Sequence, residues 1–529
     1  MSQFNRRTFV GASVASVAGS MLPGAITAQD SSPVATPEGD YAPQTGVERE
    51  TLVVGTYGLP ASMMPTLEMS NVGGAFFVNP YETLIRRDYR NNDALVPMLA
   101  ASWTQVSDTE WEFTLRDDVT FHNGAPMTAD DVVFTFDRLI NASEGSDLLT
   151  AAGRLDTLAS VEALDDVTVR MKTIDPDPVL LKRLTDTAAM VVSRSYMDEV
   201  GDDEYKRSGM GTGPLRIVSF TPDNEVVLER YDGYWGDAPM VRNVTFRVIP
   251  ELAARITALV NGEVDIINNV SPDQVASLES HDNVEIRRIP LANCHQLSYN
   301  THQPGMQDKR LRQALNLAID RDLIIDALWL GEAVHKRGYQ WEDFGELYNP
   351  DRPLTPYDPE RARQLVEESD YNGEVIYYQL VPGYYVLNEQ VGQTIVEMWK
   401  EVGINAEVQF NDAFLSGDER WAHTWSMTNL LSDPSGALFR QYGPGQTPQE
   451  LYWDAPDEFN RLGMEAATSL DTQLRYDNYQ AILDIWDEEA PGTDLYDPVD
   501  IYGVRRGVNW EPTPKFQMDF RPYNLSFDE

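Results

Sequence analysis

A single cysteine, Cys294, stands among 529 residues. No intramolecular disulfide can form, so the fold rests on packing, and a multi-thiolate metal cage is excluded. Cys294 lies in the apolar-flanked stretch 289–299 and reads as a buried small residue. In a strand its neighbour His295 points to the opposite face, which removes a Cys–His nucleophile pair. Histidine is sparse as well. None of His122, His281, His295, His302, His335 and His423 falls into a His-x-His or His-x-x-x-His pair, so no preformed transition-metal site is expected. The Gly-x-Ser-x-Gly elbow, the phosphate-binding P-loop and the dinucleotide fingerprint are missing too. Adjacent carboxylates occur at Asp117-Asp118, Asp130-Asp131, Asp202-Asp203 and Glu488-Glu489, mostly in turn or cap contexts, and read as solvated acids. No catalytic residue, no cofactor and no metal is expected. Beyond the N-terminus no run of about 18 strongly apolar residues appears, so the body should contain no membrane-spanning helix. Basic residues are outnumbered, 41 against 84 acidic ones, for a formal charge of −43. That field repels phosphate, which makes nucleic acid and anionic membrane surfaces poor partners.

What is present is a globular composition, 42% hydrophobic and 10% aromatic, long enough for two or three domains. The chain opens with Asn5-Arg6-Arg7-Thr8-Phe9-Val10 and a mild, Gly-rich apolar run to about Ala28. Residues 1–28 read as a twin-arginine signal peptide, cut after Ala28, that sends a folded protein out of the cytoplasm. The Pro-, Ser- and Thr-rich residues 29–47 read as a flexible linker. No cysteine follows the expected cut, so no lipid anchor is expected.

Strand-like and helix-like patterns then alternate, which argues for an α/β protein. Residues 50–55, 111–115, 161–174, 216–220, 226–230, 244–249 and 404–410 read as strands. Thr128 is placed to cap a helix whose first turn carries Asp130 and Asp131. Helices are also predicted over 252–261, from Ser271-Pro272, over 310–328, over 360–368 and along the stripe Val391, Ile395, Met398, Val402 closed by Gly403. Gly209 to Pro214 packs three glycines and a proline into six residues, a boundary or hinge signal. Aromatic rings cluster beside turns: Trp421, His423 and Trp425 before Asn429, Asp433-Pro434 and Ser435-Gly436, and Tyr384-Tyr385 after Pro382-Gly383. Flat rings beside short polar side chains suit a ligand held by stacking and a few hydrogen bonds, and they equally suit ordinary packing.

Several blocks together resemble the large solute-binding proteins of oligopeptide, dipeptide and nickel importers. The most specific runs from Phe121-His122-Asn123-Gly124 to Thr128-Ala129-Asp130-Asp131-Val132. Gly211-Thr212-Gly213-Pro214, Tyr234-Trp235, Asn300-Thr301 and the segment from Arg312 to Asp320 follow in the family's order. The resemblance implies a bilobal periplasmic-binding-protein fold, a clamshell with an extra small domain. It assigns 48–86, 210–295 and 490–529 to one lobe, 87–209 to the small domain and 296–489 to the other lobe. It implies a monomer that closes about two crossing strands on a peptide or other small solute and delivers it to ABC permease subunits, in the periplasmic space or at the outer face of the cytoplasmic membrane. The ligand-binding residues it points to are Tyr57, Met63, Asn71, Tyr384, Trp421, Trp425, Asn429, Leu430 and Asp433, with Gly211, Gly213, Pro214 and Asn300 at the hinge. Peptide-binding relatives pair the ligand's ammonium with an aspartate three residues before an acidic-Pro pair. Here the pair is Asp433-Pro434 and that position holds Leu430. Met63-Met64-Pro65 likewise replaces a more polar Leu-Asp-Pro. An oligosaccharide or other uncharged solute in the same fold is therefore the alternative, and a secreted hydrolase is the rival of another class.

Overall fold

The structure, a computed structural model, describes residues 43–91 and 93–529. The expected signal peptide and most of the linker lie outside them. The linker's last residues are tied down: Gln44 and Val47 donate backbone bonds to the carbonyls of Pro522 and Phe527 at 2.8 and 3.0 Å.

Three sheets organise the α/β chain. A seven-stranded mixed sheet runs in the order 284–290, 499–505, 266–267, 49–56, 241–248, 225–230, 215–221. Its central strand Arg49–Thr56 pairs in parallel with Val241–Val248. A five-stranded sheet runs 406–410, 376–380, 422–428, 293–299, 492–496. A four-stranded antiparallel sheet, 100–107, 110–115, 168–173, 158–165, has its own core of Phe113, Phe121, Val132, Phe136 and Met171. Each large sheet carries apolar clusters on both faces, and strand Asn293–Tyr299 is buried along its whole length although it includes Asn293, His295, Gln296 and Ser298.

The chain passes between the two large sheets twice. Strand Val284–Pro290 leads through Leu291-Ala292 into Asn293–Tyr299, and strand Gly492–Tyr496 leads through Asp497-Pro498 into Val499–Arg505. Both outgoing strands sit beside each other on each side, since 284–290 pairs with 499–505 and 293–299 pairs with 492–496.

Local chemistry sets the elements. Helix Ala129–Ile140 starts at Thr128, whose backbone N–H donates to Asp131 Oδ2 at 3.0 Å in a capping box. Pro359 opens helix Pro359–Glu368 behind its cap Asp358. The segment predicted as one helix over 310–328 is two, Lys309–Leu317 and Arg321–Leu328, because Asp320 caps the second by accepting from Leu323 N at 2.9 Å. Strand 293–299 alternates as expected around Cys294: the thiol packs with Met427 and Leu438, while His295 faces the other way.

Candidate functional site

A cavity of about 950 Å³ lies between the two large sheets. One wall is built from Tyr57, Asp500 and Tyr502 of the seven-stranded sheet and its loops. The other is built from Asn293, His295 and Trp425 of the five-stranded sheet. The four-stranded region closes one side with Arg154 and Asp186. The size is near the top of the range typical of small-ligand sites.

Of the residues picked from the sequence, Tyr57, Asn71, Tyr384, Trp425 and Leu430 line this cavity. Asn71 opens the helix Asn71–Phe77, behind its cap Ser70. Tyr384, Tyr385, Phe414 and Trp425 form a chain of edge-to-face rings with centroids 4.7–5.0 Å apart. The other four are placed elsewhere. Met63 is fully buried in the core beneath the seven-stranded sheet, where its carbonyl accepts from Tyr81 Oη at 2.7 Å. Trp421 packs edge-on against Tyr377 beside the opposite core. Asn429 is buried and donates to Asp343 Oδ1 at 2.8 Å. Asp433 accepts from Arg475 at 2.6 Å and from Ser435 N at 2.9 Å, so its carboxylate is already neutralised and is not a stand-in for the acid missing at Leu430.

The residues picked as a hinge sit away from the two crossings. Gly211, Gly213 and Pro214 lie where the four-stranded region joins the seven-stranded sheet. His122 N donates to Gly211 O at 3.0 Å, and Gly213 N donates to Pro80 O at 3.1 Å. A Cβ on Gly211 or Gly213 would come within 2.0 or 2.2 Å of the carbonyl oxygens of Pro80 and Asn79. Close backbone approach, not freedom to bend, explains these glycines. Asn300 is buried just past strand 293–299 and donates to Arg420 O at 3.1 Å.

The charged lining was not picked from the sequence. Arg154, Arg420, Arg440 and Lys515 face two carboxylates, Asp186 and Asp500, so the lining carries two more cations than anions in a chain of formal charge −43. Asp186 is engaged with Arg154 at 3.0 Å. Asp500 accepts from Tyr502 Oη at 2.5 Å, and burial pushes its pKa up to about 6. Lys515 Nζ is buried with no hydrogen-bond partner among the described residues, and burial brings its pKa down to about 7. Burial lowers Arg440 to about 10 and holds His295 down near 3, so that imidazole is neutral. These residues carry no motif, and only their convergence in space marks them.

No group of three or more potential metal ligands occurs among the described residues. No helix among them is long and apolar enough to cross a membrane.

Comparison with known proteins places this geometry. The profile of the bacterial extracellular solute-binding proteins, family 5, matches residues 94–447. The dipeptide-binding protein of Escherichia coli K12 is 27% identical over 390 residues, covering 68% of this chain and 72% of that protein. The structure of the ABC transporter-associated periplasmic binding protein DppA from Helicobacter pylori, in complex with the peptide STSA, superposes with a TM-score of 0.81 at 22% identity, over 91% of this chain and 99% of that one. NikZ from Campylobacter jejuni, in complex with Ni(L-His), gives 0.80 at 19% identity, over 91% and 100%. The two structures agree in fold while holding different solutes. The chain therefore has the bilobal periplasmic-binding-protein fold and belongs to the bacterial extracellular solute-binding proteins, family 5.

Proposed function

We propose that this protein is the substrate-binding component of an ABC importer, exported from the cytoplasm, that captures peptides and delivers them to a membrane permease. The observation that carries the reading is the 950 Å³ cavity walled by two sheets that are joined through Leu291-Ala292 and Asp497-Pro498. Two short adjacent connections allow one wall to rotate against the other, and a ligand touching both walls stabilises the closed form by its extra contacts there. The hinge is assigned to these two crossings. The lobes are assigned to the two large sheets, and the small domain to the four-stranded sheet. The protein acts as a monomer, without catalysis or cofactor.

The names of the relatives support peptide as the solute. An uncharged oligosaccharide draws support from the ring chain Tyr384, Tyr385, Phe414 and Trp425. The charged lining weighs against it, because desolvating ionised groups beside a neutral solute brings no return. Titration calorimetry of the mature protein with a mixed tripeptide pool and a mixed oligosaccharide pool separates the two. Heat with peptides alone supports the proposal. Heat with oligosaccharides alone rejects it, and turnover of either pool would reject pure binding.

A further inference from the structure

The cavity lining holds two unlike sets of charged groups. In the first, Asp500 lies against Tyr57 and Tyr502. Tyr57 is pushed up to about 12 by burial and by the negative charge of Asp500. Asp500 is 8% exposed and stands in no ion pair among the described residues, while the other lining acid, Asp186, is held by Arg154. It is thus the one lining carboxylate whose charge no cation offsets. A buried charge in that position is costly unless something binds it.

In the second set the imbalance is reversed. Arg440 lies in the field of Arg154, Asp186 and Arg183, and Lys515 lies in that of Arg87, Asp93, Lys182 and Asp343. Among the described residues neither forms an ion pair: Arg440 Nε donates to Gly436 O at 3.3 Å, and Lys515 Nζ has no hydrogen-bond partner. The backbone after Lys515 is held in an unfavourable form, since Phe516 sits at φ +65° with a bulky side chain. Such strain persists only where surrounding structure fixes it, and it is concentrated at binding sites.

We propose that Asp500 binds the ammonium group of a zwitterionic ligand, and that Lys515 and Arg440 bind its carboxylate, so that the ligand lies in one direction along the cleft. This rests on the peptide reading and adds the anchoring groups and the polarity. It resolves the missing acid at Leu430: the counter-charge comes from the opposite wall, on the strand Val499–Arg505 that begins directly after the Asp497-Pro498 crossing. An amine drawn to Asp500 from a ligand resting on the five-stranded sheet pulls on the connection about which the lobes close.

The test uses a mixed tripeptide library with free ends, the same library N-acetylated, and the same library C-amidated, against the mature protein and Asp500→Asn. Each is measured by calorimetry. Losing one partner of a buried charge pair weakens binding by about 30-fold or more. Acetylation and amidation should each cost the native protein that much, and Asp500→Asn should bind free and acetylated peptides alike. With free-ended peptides at pH 6, binding should release protons, seen as a dependence of the heat on buffer ionisation enthalpy. Equal binding of free and acetylated peptides by the native protein overturns the inference and leaves peptide capture standing. So does full retention of amine discrimination by Asp500→Asn. If no library binds, peptide capture falls and the inference falls with it. The acetylated and amidated arms need no variant, so a poorly folding substitution does not blunt the test.

Discussion

Two places in this molecule bury charge, and they treat it oppositely. At the joint between the four-stranded region and the seven-stranded sheet, the Glu82 carboxylate is fully buried and fully satisfied. It accepts from Thr212 Oγ1, Tyr234 Oη, Trp235 Nε1 and Arg521 Nη2 at 2.8–3.0 Å. Arg521 is completed by Asp519 at 3.1 Å and Val78 O at 3.0 Å. In the cleft, Asp500 and Lys515 lack such shells. A network with every valence filled is rigid and costly to disturb. A buried charge with open valences holds interaction energy available to a ligand. The first arrangement is architecture and the second is function.

The largest effect should come from breaking the closed network. Glu82→Ala leaves Arg521 buried beside one acid instead of two and strands Thr212, Tyr234 and Trp235. A loss of about 3–5 kcal/mol is expected, read as a lower midpoint in urea unfolding. A loss below about 1 kcal/mol would show that the joint is wet or loose and would dissolve the contrast. Gly213→Ala strikes the same joint through sterics. Its Cβ would sit 2.2 Å from Asn79 O, where backbone must move, so about 1–3 kcal/mol should be lost in the same assay.

The cleft should respond with the opposite sign. Lys515 has its pKa depressed to about 7 in the folded protein against an ordinary value of 10.5. The unfolded chain therefore binds the proton more tightly, and the charged lysine destabilises the fold most below pH 7. The penalty fades as pH rises from 7 toward 10. Lys515→Met should raise unfolding stability by about 1–3 kcal/mol at pH 6 and by progressively less at higher pH. A stabilisation that does not change with pH would mean that packing, not charge, accounts for it. Gain of stability with loss of peptide affinity is the signature of a binding group, and no residue of the joint should give it.

The same division explains what could be read from the sequence. The signature-like blocks were legible because each is a local backbone solution: a capped helix start at Thr128, a close approach at Gly211 and Gly213, a Tyr-Trp pair on one turn. In space these three blocks meet at the joint. His122 Nε2 lies 3.0 Å from Gly213 O, and Thr212 with Tyr234-Trp235 surrounds Glu82. A run of glycines looked like a hinge because flexibility and close approach leave the same mark in one dimension. The cleft was less legible. Arg154, Arg440, Asp500 and Lys515 come from distant stretches, and each alone is an ordinary charge in a chain that has 125 of them, 41 basic and 84 acidic. Rings near turns found Tyr384, Tyr385 and Trp425, three of the four rings in the edge-to-face chain, and also selected Trp421, which serves the core. The crossings 291–292 and 497–498 have no glycine cluster and become visible only once the two sheets are paired.

The smallest effect sharpens the comparison from within the most recognisable block. Thr128 Oγ1 bonds Asp131 Oδ2 at 3.2 Å, but Asp131 keeps its bonds from the Thr128 backbone N–H and from Arg194 N, both at 3.0 Å. Thr128→Ala removes one cap hydroxyl and leaves the buried carboxylate with two donors. About 1 kcal/mol should be lost. Hydrogen exchange should localise the loss to helix Ala129–Ile140, with peptide affinity unchanged. If affinity fell as well, the four-stranded region would have to transmit strain to Arg154 and Asp186 in the cleft wall, and scaffold and site would no longer be separable at this end of the cavity.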